Sequence, residues 1–212
     1  MKIVCISDTH GIHQPKDLPD GDMLIHAGDL SLTGEVHEVQ HALAWLRKFP
    51  HKYKIVIGGN HDNSLCELPY CFDEQFKPYK YCTPLIYLRG SKVKCDDYTV
   101  FGSSVIPHND AFRAGARAYM LDGTTARHWG MAPDCDILVT HGAPAHMRDE
   151  GHSGDPCLMA YVRMVKPKLH VFGHCHGGYG ISEFEGTIFV NAAQLDGAYR
   201  PCLRQEPIVV EI

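Results

Sequence analysis

The sequence predicts an α/β fold, and two observations support this prediction. Short apolar segments rich in β-branched residues recur along the chain, and segments with helical periodicity lie between some of them. The strand-like segments also end repeatedly in a glycine beside Asp, Asn or His, as ligand-binding loops do at the carboxyl ends of strands in α/β sheets. No internal repeat, low-complexity tract or linker divides the chain, so we expect one domain over residues 1–212.

The first part of the chain is predicted to contain three strands and one long helix. Residues 2–7, 22–27 and 53–57 are apolar and end in polar, glycine-containing turns, which is typical of buried strands. Residues 34–49 have acidic side chains near their start and basic ones near their end, which suits the helix dipole. The apolar face of this predicted helix consists of Val36, Val39, Leu43 and Leu46.

The remainder of the chain is interpreted by the same criteria. Residues 111–131 have a mixed helical pattern that glycines interrupt, and residues 155–165 are predicted to form a helix. The further predicted strands are residues 85–88, 98–102, 136–140, 169–172, 187–190 and 207–212.

The composition argues against several classes of protein. The net charge of -5 leaves no basic surplus to neutralise a nucleic-acid backbone, so we expect no nucleic-acid polymer as a partner. The nine cysteines include no CxxC pair, which argues against a zinc ribbon and favours reduced thiols in a cytosolic protein. The chain starts with the strand-like MKIVCIS rather than a secretory leader, and no apolar run is long enough to span a bilayer. We therefore expect a cytoplasmic protein that does not bind membranes.

Five motifs at predicted strand ends could supply metal ligands, and the fifteen histidines of the chain also favour a metal site. Carboxylate and carboxamide oxygens together with imidazoles suit transition metals better than calcium or magnesium. Side chains at positions i and i+2 of an extended segment point the same way. We therefore expect each i, i+2 pair to face one site. The motifs are Asp8-x-His10, Gly28-Asp29, Gly59-Asn60-His61-Asp62, His141 and Gly173-His174-x-His176.

Each motif alone also has a structural interpretation. Gly28-Asp29 could form a turn, and Asn60-His61 could cap a helix. Asp62 is as readily a structural carboxylate as a ligand. The functional interpretation is favoured because the structural ones would have to coincide at five successive strand ends.

These residues give the chain a resemblance to the calcineurin-like metallophosphoesterases, whose five motif blocks are all present, in order, from residue 8 to residue 176. Within that group the sequence is similar to the metallophosphoesterase-domain-containing (MPPED-type) branch. The resemblance is weakest over residues 63–130, where Gly102-Ser103-Ser104 replaces an expected Gly-Ser-Pro followed by tryptophan, and we expect this part to shape the substrate pocket. The stretches that support it are SDTHG (7–11), HAGDLS (26–31), LHVFGHCHGGYG (169–180), VNAA (190–193) and YRP (199–201).

The resemblance implies a four-layer α-β-β-α sandwich of two mixed sheets with flanking helices, and a metal site at the C-terminal ends of the strands. It also implies two divalent transition-metal ions, for which manganese is the first expectation and iron, zinc, nickel or cobalt are alternatives. Asp29 would bridge the two ions, and His61 would be the catalytic imidazole. The ligands of the first ion would be Asp8, His10, Asp29 and His176, and those of the second Asp29, Asn60, His141 and His174.

The implied activity is hydrolysis of small phosphodiesters, with cyclic nucleotides as one example, through in-line attack of a metal-bridging hydroxide. A phosphomonoesterase, a nuclease or DNA-repair subunit, and a non-catalytic metal-binding scaffold are the alternatives. A Ser/Thr protein phosphatase is disfavoured, because those enzymes carry Asp-Arg-Gly shortly after the Gly-Asp block, whereas LSLTG follows Asp29 here. The substrate-binding residues and the oligomeric state stay open.

Overall fold

The computed structural model describes residues 1–12, 17–77, 83–108, 115–151, 154–201 and 206–212. The elements of the first half are β1 (Lys2–Ile6), β2 (Met23–His26), α1 (Val36–Arg47), β3 (Tyr53–Val56), α2 (Asn63–Glu67), a 3-10 turn (Pro69–Phe72), α3 (Asp73–Phe76), β4 (Leu85–Tyr87), β5 (Ser91–Cys95) and β6 (Tyr98–Ser103). The elements of the second half are β7 (Ile106–Pro107), β8 (Met120–Leu121), α4 (Ala126–Gly130), β9 (Ile137–Thr140), α5 (Pro156–Val165), β10 (Leu169–Phe172), a 3-10 turn (His176–Gly178), β11 (Gly180–Phe184), β12 (Thr187–Asn191) and β13 (Ile208–Glu211).

The strands form two mixed sheets. In the first sheet the order is β13-β1-β2-β3-β4, with β1 to β4 parallel and β13 antiparallel at the edge. In the second sheet the order is β11-β12-β10-β9-β6-β5, with four parallel strands in the centre and an antiparallel strand at each edge. β7 and β8 form a separate short parallel pair.

Alternation along the strands produces a layered core. Ile3 and Cys5 of β1 pack into an apolar cluster shared by the two sheets, whereas Val4 and Ile6 face the helix α1 on the outer side. In the second sheet, Val171 of β10 contributes to the shared cluster, while its neighbour Phe172 packs with residues of α5. These three apolar clusters confirm the four-layer α-β-β-α arrangement that the sequence predicts.

The two sheets are joined at the carboxyl ends of their central strands. Ser7, directly after β1, forms an isolated parallel bridge with Ala193, which follows β12. The backbone N–H of Gln194 donates to the Ser7 carbonyl at 2.9 Å. Because parallel strands of each sheet end at this edge, the loops that follow them face one another across the junction.

Most predicted elements agree with the structure within two residues, including the helices α1 and α5. The edge strands β5 and β11 escaped prediction, since each has mostly exposed or half-buried positions and lacks a continuous apolar run. The helical interpretation of residues 111–131 was largely wrong: this segment contains β8 and one short helix, α4, and residues 111–114 lie outside the described chain. None of the helices in the described parts is long and apolar enough to cross a membrane.

The buried Asp155 joins α4 to α5, and we expect its replacement by alanine to destabilise the protein. The carboxylate caps α5 by accepting from the Cys157 N–H at 2.8 Å, and it accepts from the Thr125 hydroxyl at 2.6 Å and the Trp129 indole at 2.9 Å. Losing the cap costs about 1 kcal/mol and leaving two buried donors unsatisfied costs about 1–3 kcal/mol. For Asp155→Ala we expect urea denaturation to show a free energy of unfolding lower by about 3 kcal/mol.

The matched control is Asp134→Ala, because Asp134 is exposed, and it should change the free energy of unfolding by less than about 0.5 kcal/mol. Equal effects of the two substitutions would contradict the role assigned to Asp155.

Candidate metal centre

The eight residues singled out by the sequence all lie in loops that follow parallel strands. Asp8 and His10 follow β1, Asp29 follows β2, and Asn60 with His61 follows β3. The remaining three residues follow strands of the second sheet and are His141, His174 and His176. The five loops therefore reach the junction of the sheets from both sides.

The structure brings these side chains together. Three groups have ligand atoms that all lie within 4.8 Å of one another, and the carboxamide oxygen of Asn60 lies 2.9 Å from His141 Nε2. The first two groups agree with the two expected ligand sets, and the third places His61 beside them. The groups are Asp8, His10 and His176; Asp29, His141 and His174; and His10, Asp29 and His61.

Asp29 has the central position in this arrangement. One of its carboxylate oxygens, Oδ2, lies 3.3 Å from His141 Nε2 and 3.7 Å from His10 Nε2, which belong to different groups. The other oxygen accepts a hydrogen bond from the backbone N–H of His61 at 2.9 Å. The contacts of Asp29 therefore extend to both expected ligand sets.

Four of the five histidines are oriented by the backbone. Their Nδ1 atoms lie at hydrogen-bonding distance from carbonyl oxygens, and a carbonyl can only accept. In the neutral ring the proton therefore sits on Nδ1, and Nε2 keeps a lone pair that faces the site. The pairs are His10 with Ser31 (3.1 Å), His61 with Leu32 (2.7 Å), His141 with Ala27 (2.9 Å) and His176 with Asp196 (2.9 Å).

The buried carboxylates set the proton affinity of two of these rings. Burial alone would lower the pKa of His141, but the charge and hydrogen bond of Asp29 raise it to about 9. Burial opposes the same effect at His176, where Asp8 raises the pKa to about 9. For His174, burial and the charge of His141 lower the pKa to about 4. His141 with Asp29 and His176 with Asp8 thus form two carboxylate–imidazolium pairs, whose protons a metal cation could replace.

Asp8 and His10 do share one group of ligand atoms, but the extended backbone that was expected to orient the two i, i+2 pairs is absent. Asp8, His10, Asp29 and His174 have φ angles of 54°, 44°, 55° and 63°, in the left-handed region that non-glycine residues seldom occupy. His176 begins a 3-10 turn, so it and His174 belong to different groups of ligand atoms. The side chains converge through strained turns that the surrounding contacts hold in place, as often occurs at functional sites.

Asp62 lies behind the site and ties two of its loops together. Its fully buried carboxylate accepts hydrogen bonds from the backbone N–H groups of Leu30, Ser31 and Gly59 and from the Ser31 hydroxyl. Burial and the negative charge of Asp29 raise the pKa of Asp62 to about 6. These contacts support the structural interpretation of Asp62.

Tyr199 is at the site, although the sequence interpretation assigned it no role. Its ring centroid lies 4.8 Å from that of His10 and 5.2 Å from that of His176, and its hydroxyl lies 3.4 Å from His61 Nε2. The available signal was the YRP stretch at residues 199–201, but no spacing rule relates that stretch to residues more than a hundred positions away.

Comparisons with known proteins agree with this geometry. The family model described as calcineurin-like phosphoesterase matches residues 1–178. The human metallophosphoesterase domain-containing protein 1 is 33% identical, over 100% of this chain and 71% of that protein. The probable rhamnogalacturonate lyase C of Emericella nidulans is 39% identical over 85% of this chain, but the chain spans only 17% of that protein.

Among solved structures, phosphopantetheinyl hydrolase (PptH) from Mycobacterium tuberculosis superposes with a TM-score of 0.61 and 14% identity, over 95% of each chain. That likeness shows a shared fold. The family model and the human relative show more, since they cover most of the chain, including all five motif loops. The chain therefore belongs to the calcineurin-like phosphoesterase family, which implies a metal-dependent hydrolase of phosphoric esters.

Proposed function

We propose that this protein is a dinuclear metal-dependent phosphodiesterase that hydrolyses small phosphodiesters, with cyclic nucleotides among the candidate substrates. The observation that supports it most directly is the convergence of two groups of ligand atoms on the single carboxylate of Asp29. Paired metal ions that share a carboxylate are the usual arrangement for displacement at phosphorus.

The donor set fits two divalent transition-metal ions. Asp8, His10 and His176 would hold one ion, the second would be held by Asn60, His141 and His174, and Asp29 would serve both. Imidazole nitrogens mixed with carboxylate and carboxamide oxygens suit manganese, iron, zinc, nickel or cobalt, and manganese is our first choice. When bound, such ions polarise phosphoryl oxygens and lower the pKa of coordinated water.

His61 is proposed to act on the leaving oxygen. Its backbone N–H is held by Asp29 and its Nδ1 by the Leu32 carbonyl, so the position and rotation of the ring are both fixed. The remaining nitrogen, Nε2, faces the site. In the protonated ring, Nε2–H can donate its proton to the leaving oxygen as the bond to phosphorus breaks. No nucleophilic side chain is needed for this reaction.

The charge of the loaded site would suit a phosphate ester anion. Two divalent ions would bring four positive charges, of which the carboxylates of Asp8 and Asp29 cancel two. The excess of about two charges suits a singly charged diester together with the additional charge that develops in its transition state. A phosphomonoester, which is a dianion near neutral pH, is the nearest alternative substrate.

The first prediction concerns substrate choice. With Mn²⁺ bound, the purified protein should hydrolyse bis-p-nitrophenyl phosphate with a higher kcat/KM than p-nitrophenyl phosphate, as measured by release of p-nitrophenolate. A preference for the monoester would replace the diesterase proposal with the monoesterase alternative. Failure to hydrolyse either compound with Mn²⁺, Fe²⁺, Ni²⁺, Co²⁺ or Zn²⁺ would contradict the enzymatic proposal itself.

A second prediction separates the roles of His61 and Asp29. His61→Ala should lower kcat by a factor of about 10² to 10⁴, the usual contribution of a general acid, while the bound metal stays unchanged. Asp29→Ala should empty both metal positions, because both ligand sets contain this carboxylate. Metal content would be measured by atomic emission after gel filtration.

The matched control for this pair is His37→Ala, because His37 is an exposed histidine of α1, and it should change neither kcat nor metal content. Equal loss of metal in His61→Ala and Asp29→Ala would refute the division of roles.

A third prediction follows from the raised pKa values of His141 and His176. Both values, about 9, lie above the unfolded value of 6.5, so both rings carry a proton in the folded metal-free protein between these pH values. The stabilisation by their carboxylate partners is therefore complete below pH 6.5 and is lost as the pH rises through about 9.

Metal binding at about pH 7.5 should release about two protons, since a ligating imidazole must be neutral.

Isothermal titration calorimetry with Mn²⁺, in buffers of different ionisation enthalpy, measures this release. The number of protons should fall toward zero as the pH is raised past 9. Release that does not depend on pH across this range would contradict the assignment of the two protons to His141 and His176.

A further inference from the structure

We propose that Tyr199 is a further catalytic residue, whose hydroxyl donates a hydrogen bond to the phosphate group of the substrate beside His61. This inference rests on the proposed phosphoesterase function. It assigns a second donor to the side of the site where the leaving oxygen would lie, and that donor comes from the C-terminal part of the chain.

The position of Tyr199 supports this role. Its aromatic ring contacts three imidazoles of the site, with centroid distances of 4.8 Å to His10, 5.2 Å to His176 and 5.8 Å to His61. The side chain is half-buried, and its hydroxyl lies at the polar centre, near His61 Nε2. A tyrosine kept only for packing would place its ring in the apolar core, and none of the three apolar clusters includes Tyr199.

The distance between the hydroxyl and His61 fits a shared ligand. In the neutral ring the His61 proton is on Nδ1, which faces the Leu32 carbonyl, so the Tyr199 hydroxyl donates to Nε2. The separation of 3.4 Å is long for that bond. In the protonated ring Nε2–H is a donor as well, and two donors at such a separation can both reach one anionic oxygen at about 2.8 Å. A phosphoryl or leaving oxygen would therefore form better contacts with the pair than the pair forms with itself.

A dedicated turn, residues 196–200, holds Tyr199 in place. The Asp196 carbonyl accepts hydrogen bonds from both the Tyr199 N–H at 2.8 Å and His176 Nδ1 at 2.9 Å, so one oxygen orients an expected metal ligand and Tyr199 together. The Asp196 carboxylate accepts from the backbone N–H groups of Ala198 and Arg200 and forms an ion pair with the Arg200 guanidinium at 3.0 Å.

The backbone of Tyr199 is itself strained, with a φ of 60°. A non-glycine residue in this region is held there by its surroundings, against its local conformational preference. The contacts within the turn therefore hold the phenol next to His61, although the backbone of Tyr199 does not prefer this conformation. Such fixed positioning is what a hydrogen-bond donor to a transition state requires.

The test compares Tyr199→Phe, which removes the hydroxyl and keeps the ring, with Tyr98→Phe. Tyr98 is a half-buried tyrosine at the first position of β6, at the opposite end of that strand from the site. Each variant and the wild-type protein would be loaded with Mn²⁺. Three quantities would be measured: bound metal, kcat/KM for bis-p-nitrophenyl phosphate, and the Kd of inorganic phosphate by isothermal titration calorimetry.

For Tyr199→Phe we expect kcat/KM to fall about tenfold or more and phosphate binding to weaken about tenfold, as is typical for loss of a hydrogen bond to a charged group. Bound metal should stay at the wild-type level, and Tyr98→Phe should match the wild type throughout. Unchanged phosphate affinity in Tyr199→Phe, loss of metal from it, or absence of phosphate binding by the wild-type protein would overturn the proposal. If the wild type binds phosphate but hydrolyses neither ester, the proposed function fails, while a weaker phosphate Kd in Tyr199→Phe still supports the contact.

Discussion

The structure of the site depends on one buried carboxylate, that of Asp29. It is 2% exposed, and burial of an unpaired carboxylate is too costly to persist without compensation. Compensation comes from His141 and from the backbone N–H of His61, which arrive on different loops. The surroundings also respond to this carboxylate. The backbone of Asp29 has a left-handed φ angle, and the charge of Asp29 contributes to the raised pKa of Asp62 behind it. Oδ2 of Asp29 lies near ligand atoms of both groups. The negative charge of Asp29, which would destabilise the fold if it were unpaired, therefore attracts both groups.

The fold brings these loops together from two separate sheets. β1, β2 and β3 supply Asp8, Asp29 and His61 from one side, and β9 and β10 supply the ligands of the second sheet from the other. The bridge between Ser7 and Ala193 fixes the two sheets at this edge, and His174 donates its backbone N–H to both oxygens of Asp8 at 3.0 Å. The apolar cluster between the sheets thus stabilises the domain, while the polar contacts at its edge set the spacing between ligands. Since the strained positions Asp8, His10, Asp29 and His174 lie at this edge, the stability of the buried layers helps to keep them populated.

The sequence predicted the buried part of this structure better than its edges. Strands such as β1 and β10 were recognisable because both of their faces are covered, which leaves continuous apolar runs, whereas β5 and β11 are partly exposed and lack that pattern. The eight site residues could be grouped from motifs alone, since each motif follows a strand and parallel strands end at one edge. The geometry within each motif could not be predicted. The left-handed turns at Asp8 and His174 are imposed by contacts between distant loops, and a local rule for extended chains describes them wrongly.

The position of Tyr199 also could not be predicted from local sequence, and it adds a contact to the side chain of His61. The imidazole is held on one side by Asp29 through its backbone, while its Nε2 meets the hydroxyl of a residue 138 positions later in the chain. The turn that carries Tyr199 also orients His176 through a single carbonyl oxygen, that of Asp196. A shift of this turn would therefore move an expected metal ligand and the donor near His61 together.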